Sequence, residues 1–165
     1  MMRIKRNQVP PSVWKNPVHF LAFGLGTGAS PYAPGTAGTL LGIPLVYLLS
    51  HGSQWIYLGV LVLFIVAGTW ICDRTSKDIG VHDHSGIVID EVAGYLVTMI
   101  MVPVNLWTLA GAFVVFRLFD ILKPWPIGWL DKKVHGGLGI MLDDLLAGLY
   151  GLAVMWLGLW AYANV

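Results

Sequence analysis

Apolar stretches alternate along this chain with charged segments and with short connections that carry no formal charge. Two stretches, Gln54 to Cys72 and Leu145 to Tyr162, are long enough to cross a bilayer core of about 30 Å as single helices, which takes roughly 20 apolar residues. Three others are shorter: Thr36 to Ser50, Glu91 to Val102, and Leu106 to Phe119. At 1.5 Å per residue they reach only about 18–22 Å, so they must be tilted or completed by flanking residues. Pro103-Val104-Asn105 is turn-like and predicts a hairpin between the last two, the alternative being one long helix kinked at Pro103. The pattern predicts an all-α fold: a polytopic membrane helical bundle of about four to five short or full membrane segments, with a Gly-rich loop at one face.

The charges sharpen this picture. Ten Lys and Arg and nine Asp and Glu fall in three blocks. The first is basic (Arg3, Lys5, Arg6, Lys15), the second runs from Asp73 to Glu91, and the third from Arg117 to Asp144. The connections at His51 to Gln54 and at Pro103 to Asn105 carry none, nor does the tail beyond Tyr162. With the hairpin, every charged block falls on one side of the membrane. The excess of Lys and Arg there makes it the cytoplasmic side, with the N-terminus in and the C-terminus out.

Composition excludes several classes. Mean hydropathy is +0.70; 56% of residues are hydrophobic and 12% charged, against about 25% charged in soluble domains. A net charge of +1 argues against nucleic acid as a partner, and the N-terminal basic excess suits anionic lipid headgroups. The 165 residues show no linker or low-complexity tract and are expected to form one membrane-embedded domain, 1–165. The first apolar stretch, Val18 to Ala29, is interrupted by glycines and is not expected to be a cleavable signal peptide. The single cysteine, Cys72, excludes an intrachain disulfide and reads as a packing residue.

The most specific chemical signal is acidic. Asp90-Glu91 precedes one apolar segment, Asp143-Asp144 precedes another, and Asp120 sits where a third ends. Single acids at such places are often helix caps. Two adjacent acids, twice, exceed what capping needs, and carboxylates near hydrocarbon are costly to keep ionised. A divalent cation resolves that cost, and all-oxygen ligands suit Mg²⁺ or Mn²⁺ better than Zn²⁺.

Two further features point to phosphate. The loop from Phe23 to Thr39 is rich in glycine, and a helix starting near Thr36 would aim its positive end at an anion, with Gly35, Thr36, Gly38 and Thr39 as the contacts. The bland alternative is a tight re-entrant loop. Arg117, Asp120 and Lys123 recur every three residues and share a face, so two cations could hold phosphate oxygens beside the acids; equally, Arg117 could snorkel or pair with Asp120. His82-Asp83-His84 has no third ligand at zinc-like spacing and reads as a solvated loop or an indirect contributor. The tryptophans Trp107, Trp125, Trp129, Trp156 and Trp160 read as interfacial anchors.

Assembled, these stretches resemble the phosphatidylglycerophosphatase A family over roughly Phe20 to Gly151. The resemblance rests on Gly26-Thr27-Gly28 through Pro34–Thr39, on His82 to Gly94, on Phe116 to Ile127, and on Gly139 to Asp144. It implies Mg²⁺-dependent hydrolysis of the terminal phosphomonoester of phosphatidylglycerophosphate at the cytoplasmic face of a bacterial inner membrane. The partners would be an anionic phospholipid substrate and the membrane, with a homo-oligomer left open. On this reading Asp90, Glu91, Asp120, Asp143 and Asp144 hold metal, Arg117 and Lys123 stabilise the phosphoryl group, and Asp144 or Glu91 acts as base. A direct aspartyl-phosphate intermediate is the competing route. Among rivals, a CDP-alcohol phosphotransferase would show an Asp-Gly-x-x-Ala-Arg run, which is absent, and a cation transporter would place its acids within the spans.

Overall fold

A computed structural model describes residues 8–164; the basic residues Arg3, Lys5 and Arg6 lie outside the described residues. Among the described residues the architecture is all-helical. Seven α-helices follow in order: α1 (Pro17–Ala22), α2 (Pro34–Leu49), α3 (Gln54–Ile79), α4 (Ile89–Thr98), α5 (Leu106–Leu122), α6 (Ile127–Lys133) and α7 (Gly136–Ala163). Short 3₁₀ turns at Pro11–Trp14 and Thr27–Ala29 precede and follow α1.

The predicted hairpin is present. Helix α4 ends at Thr98, and α5 starts afresh with Asn105 as its cap. The Asn105 side chain accepts from the Trp107 and Thr108 amides, while the Thr108 hydroxyl accepts from the Asn105 amide. This reciprocal box satisfies amides that a helix start leaves free, so the chain reverses here and does not continue as a kinked helix.

Helix α4 departs from expectation. It covers ten residues rather than Glu91 to Val102, about 15 Å of length, and all of them except half-buried Glu91 are buried. Too short to cross a bilayer, it is wrapped by α2, α3, α5 and α7. Buried hydroxyls tie it to that wrapping: Tyr57 on α3 donates to the Leu96 carbonyl at 2.7 Å, and Tyr95 donates to the Leu109 carbonyl at 3.0 Å.

Helices α4 and α7 come into backbone contact. A side chain at Gly148 would collide with the Gly94 carbonyl, and one at Gly94 would meet the Asp144 carbonyl and Phe116. The Thr98 hydroxyl points at the Gly148 carbonyl from 3.2 Å. Gly94 beside Gly148 and Thr98 beside Gly151 make the two helices parallel. Small residues allow this backbone contact, as membrane bundles require.

Helices α3 and α7 are long and apolar enough to cross a membrane, and only 22% of the apolar window of α3 is buried. A core helix of a soluble domain would be mostly covered; this one turns its apolar surface outward, as in a membrane-associated protein. Trp55 and Trp107 are largely exposed at the starts of α3 and α5, and Trp125 lies exposed beyond the far end of α5, the placement of interfacial aromatics. Both long helices outrun the apolar stretches read from sequence. Helix α3 continues past Cys72 to Ile79, and α7 begins at Gly136 rather than Leu145. The short helices α1 and α6 were not foreseen.

If the α4–α7 contact holds the bundle together, Gly148→Val lowers the thermal denaturation midpoint of the detergent-solubilised protein, by overpacking worth about 1–3 kcal/mol. Gly158→Ala, at a glycine with nothing within 4 Å, leaves the midpoint unchanged or raises it.

Candidate active site

The α4–α7 contact brings two acidic pairs together. Asp90 and Glu91 occupy the first turn of α4. Successive helical residues point about 100° apart, so the two carboxylates diverge. Glu91 turns to α2 and α5, where the Thr39 hydroxyl donates to its Oε2 at 3.2 Å and Arg117 Nη1 stands 3.0 Å away. Asp90 faces the wall formed by Ile140 and Asp143 of α7.

Asp143 and Asp144 lie inside α7, about two turns from its start at Gly136. They are not at a helix terminus, as the sequence had suggested, and interior amides are already bonded, so capping cannot account for either. Asp120 sits in the last turn of α5, the negative end of the helix dipole. What holds it there is Arg117, one turn back, whose Nη1 is 2.6 Å from Asp120 Oδ2. One guanidinium nitrogen thus bridges Glu91 and Asp120. These contacts are ionic without hydrogen-bond alignment, and Arg117 Nε is buried with no hydrogen-bond partner among the described residues.

Lys123 closes the other side. It ends α5 in the left-handed backbone region at φ 42°. Its ammonium bonds Asp131 of α6 at 2.9 Å and also Asp143. Burial opposes its charge, but hydrogen bonds and attraction from Asp143 and Asp131 outweigh this and hold its pKa above the ordinary lysine value.

Together these groups line one cavity of about 250 Å³: Ala33 to Gly35, Asp83, Ser85, Ile87, Asp90, Glu91, Arg117, Asp120, Lys123, Asp143 and Asp144. All five acids named from sequence are in its wall, as are both cations. Of the four foreseen phosphate contacts only Gly35 is. Helix α2 begins at Pro34, two residues before the start near Thr36 read from sequence, and Thr36, Gly38 and Thr39 lie within it, outside the cavity wall. The lack of a side chain at Gly35 lets α2 close on the Glu91 carboxylate, and Thr39 braces that carboxylate from behind.

His82 and His84 stay outside the cavity wall. The buried His84 ring accepts from the Gly86 amide and reaches the Gln8 carbonyl at 3.1 Å; His82 accepts from the Gly136 amide at 2.7 Å. Both act as loop braces. Asp83, given only an indirect role from sequence, is in the wall, and Asp131 was missed. It follows Lys123 by eight residues across two prolines, and only the fold of α6 reveals the pairing.

Among the described residues, no three His, Cys, Asp or Glu side chains form a ready-made metal cluster. The wall nevertheless fits a hard divalent cation. Its charged groups are six carboxylates against two cations, its donors are oxygens, and Asp90 Oδ1 and Asp143 Oδ1 are buried without a hydrogen-bond partner among the described residues.

Comparison with known proteins places this arrangement. Residues 20–159 match the profile of phosphatidylglycerophosphatase A. Phosphatidylglycerophosphatase A of Escherichia coli K12 is 46% identical over 142 residues, 86% of this chain and 83% of the relative. That of Haemophilus influenzae is 44% identical over 142 residues, 85% and 87% of the two chains. A Bacteroides thetaiotaomicron protein with the provisional name phosphatidylinositol-3-phosphatase is 38% identical over 145 residues, 83% and 90% of the two. No solved structure matches. With a profile match across most of its length and relatives at this identity, the chain belongs to the phosphatidylglycerophosphatase A family.

Proposed function

We propose that the chain hydrolyses the terminal phosphomonoester of phosphatidylglycerophosphate, giving phosphatidylglycerol and phosphate, at the cytoplasmic face of a bacterial inner membrane. The observation that carries this is the single cavity walled by Asp90, Glu91, Asp120, Asp143 and Asp144 with Arg117 and Lys123, at the charged end of an apolar bundle. The family relationship supplies the lipid; the wall supplies the chemistry.

Asp90, Asp143 and Asp144 would hold Mg²⁺, with Glu91 and Asp120 beside them. When bound, Mg²⁺ supplies positive charge to phosphoryl oxygens and acidifies water. Arg117, anchored by Glu91 and Asp120, orients its remaining N–H groups toward the phosphoryl oxygens, and Lys123 adds a second cation. The N-terminus of α2 at Pro34 and Gly35 offers amides to the same anion. Whichever of Asp144 and Glu91 is not engaged by the metal takes the proton of the attacking water. The new P–O bond forms as the ester P–O bond breaks in line, and the departing glycerol oxygen is protonated.

The lipid need not leave the bilayer. On α5, Leu118, Ile121 and Leu122 are exposed next to Arg117, Asp120 and Lys123, so one face of a single helix meets acyl chains while another meets the headgroup. The four-to-five-segment topology with the N-terminus inside belongs to this proposal.

Purified protein in mixed micelles is expected to release phosphate from phosphatidylglycerophosphate faster than from phosphatidic acid or phosphatidylinositol 3-phosphate, and to lose activity on chelation. Equal rates on all three would leave a general lipid phosphomonoesterase. Asp90→Asn and Asp144→Asn each lower kcat by at least about 100-fold; wild-type phosphate release by either variant removes that acid from the mechanism. Arg117→Lys lowers kcat/KM by about tenfold, since a point charge cannot bridge two acids and still present a planar fork. For topology, cysteines introduced at Asp83 and Lys132 label from the cytoplasmic side and one at His51 from the opposite side, with the native Cys72 silent because it is buried. Labelling of positions 83 and 132 from opposite sides contradicts the shared site.

A further inference from the structure

Lys123 faces two carboxylates at once. Its ammonium stands 2.9 Å from Asp131 Oδ1 on α6 and bonds Asp143 Oδ2 on α7. The two acids differ in setting: the Asp143 side chain is 9% exposed and that of Asp131 37%. Asp143 keeps its other oxygen, Oδ1, buried without a hydrogen-bond partner among the described residues. Asp131 lines an adjoining cavity of about 310 Å³ with His82, Lys132 and His135; this cavity shares Asp83, Asp90 and Asp143 with the catalytic one.

The backbone fixes this meeting. Lys123 ends α5 at φ 42°, a conformation that residues with side chains seldom adopt. Ile127, fully buried, pins α6 to the core just after that turn. The ammonium is therefore committed to the region between α6 and α7.

A divalent cation among the acids would repel an ammonium at contact distance, and Asp143 cannot serve both ions fully. If Asp143 is to turn to the cation, Lys123 needs another counter-ion. Asp131 is already bonded to it.

We propose that Asp131 is a positioning residue that retains Lys123 when Asp143 engages the divalent cation, and thereby sets the affinity of the site for that cation. The proposal rests on the metal reading above. Asp131 acts through Lys123 and touches neither substrate nor ion. Removing it leaves Asp143 as sole counter-ion of the lysine, so the cation must displace a stronger pair.

The test is a double-mutant cycle read by direct Mn²⁺ binding to the detergent-solubilised full chain, followed by electron paramagnetic resonance without lipid substrate. Asp131→Asn weakens Mn²⁺ binding about three- to tenfold, and Asp131→Glu restores it to within about twofold. In a Lys123→Met background the same Asn substitution changes binding by less than about twofold, because the residue it acts through is gone. Asp78→Asn, which removes a carboxylate paired with His19 and Arg74 outside the cavity, leaves binding at the wild-type level. The Mg²⁺ concentration for half-maximal phosphate release rises in Asp131→Asn and recovers in Asp131→Glu.

An equal loss of affinity with and without Lys123 would mean that Asp131 acts only as a charge, and overturns the proposal. Unchanged Mn²⁺ binding in Asp131→Asn overturns it too, leaving the phosphatase reading intact. Wild-type protein that binds no Mn²⁺ yet hydrolyses lipid in excess chelator would bring down the metal reading itself, and this proposal with it.

Discussion

Carboxylates brought together out of water repel one another and resist ionisation, and the contact of α4 with α7 forces that company on Asp90, Glu91, Asp143 and Asp144. Gly94 and Gly148 remove the side chains that would keep the helices apart. Each helix then presents its acidic pair at the same level. The rest of the bundle is consistent with a structure built to sustain that placement: α3 and α5 wrap α4, Tyr57 and Tyr95 donate to the Leu96 and Leu109 carbonyls, and the Asn105 cap returns the chain so that Asp120 reaches the same end.

Two cations make the cluster tenable. Arg117 bridges Glu91 and Asp120, and Lys123 bridges Asp131 and Asp143. Each joins acids from different helices, so the charge pattern also cross-links α4 to α5 and α6 to α7. Two positive groups against six carboxylates in the cavity wall leave negative charge to balance. Buried pairs of this kind gain little net stability once desolvation is counted. Their presence fits the proposal that the cavity holds a divalent cation.

Much of this was legible in the sequence, because the signals were local. Hydropathy marked α3 and α7, the Pro-Val-Asn turn marked the hairpin, and paired acids beside apolar runs marked the wall of one cavity. What was hidden depended on neighbours. A helix start inside Gly136–Asp144 carries no strong capping residue, so α7 read as beginning at Leu145. The glycines after Pro34 read as a phosphate cradle at a helix start, whereas Gly35, Gly38 and Gly42 are the thin face of a helix pressed on Glu91, Val88 and Tyr95. Burial of α4 by protein could not be told from burial by lipid, since both demand apolar side chains. Asp131 was invisible because its pairing with Lys123 depends on how α6 folds back after Pro124 and Pro126.

The central position of α4 has a bearing on how such a chain is made. It is enclosed partly by α7, which leaves the ribosome only after α5 and α6. Until then its Gly94 edge has Phe116 of α5 beside it but not the backbone of α7, and the first acidic pair is without the second. The order of synthesis therefore obliges the nascent hairpin to wait, half assembled, for the last helix to complete both the bundle and the charge pattern.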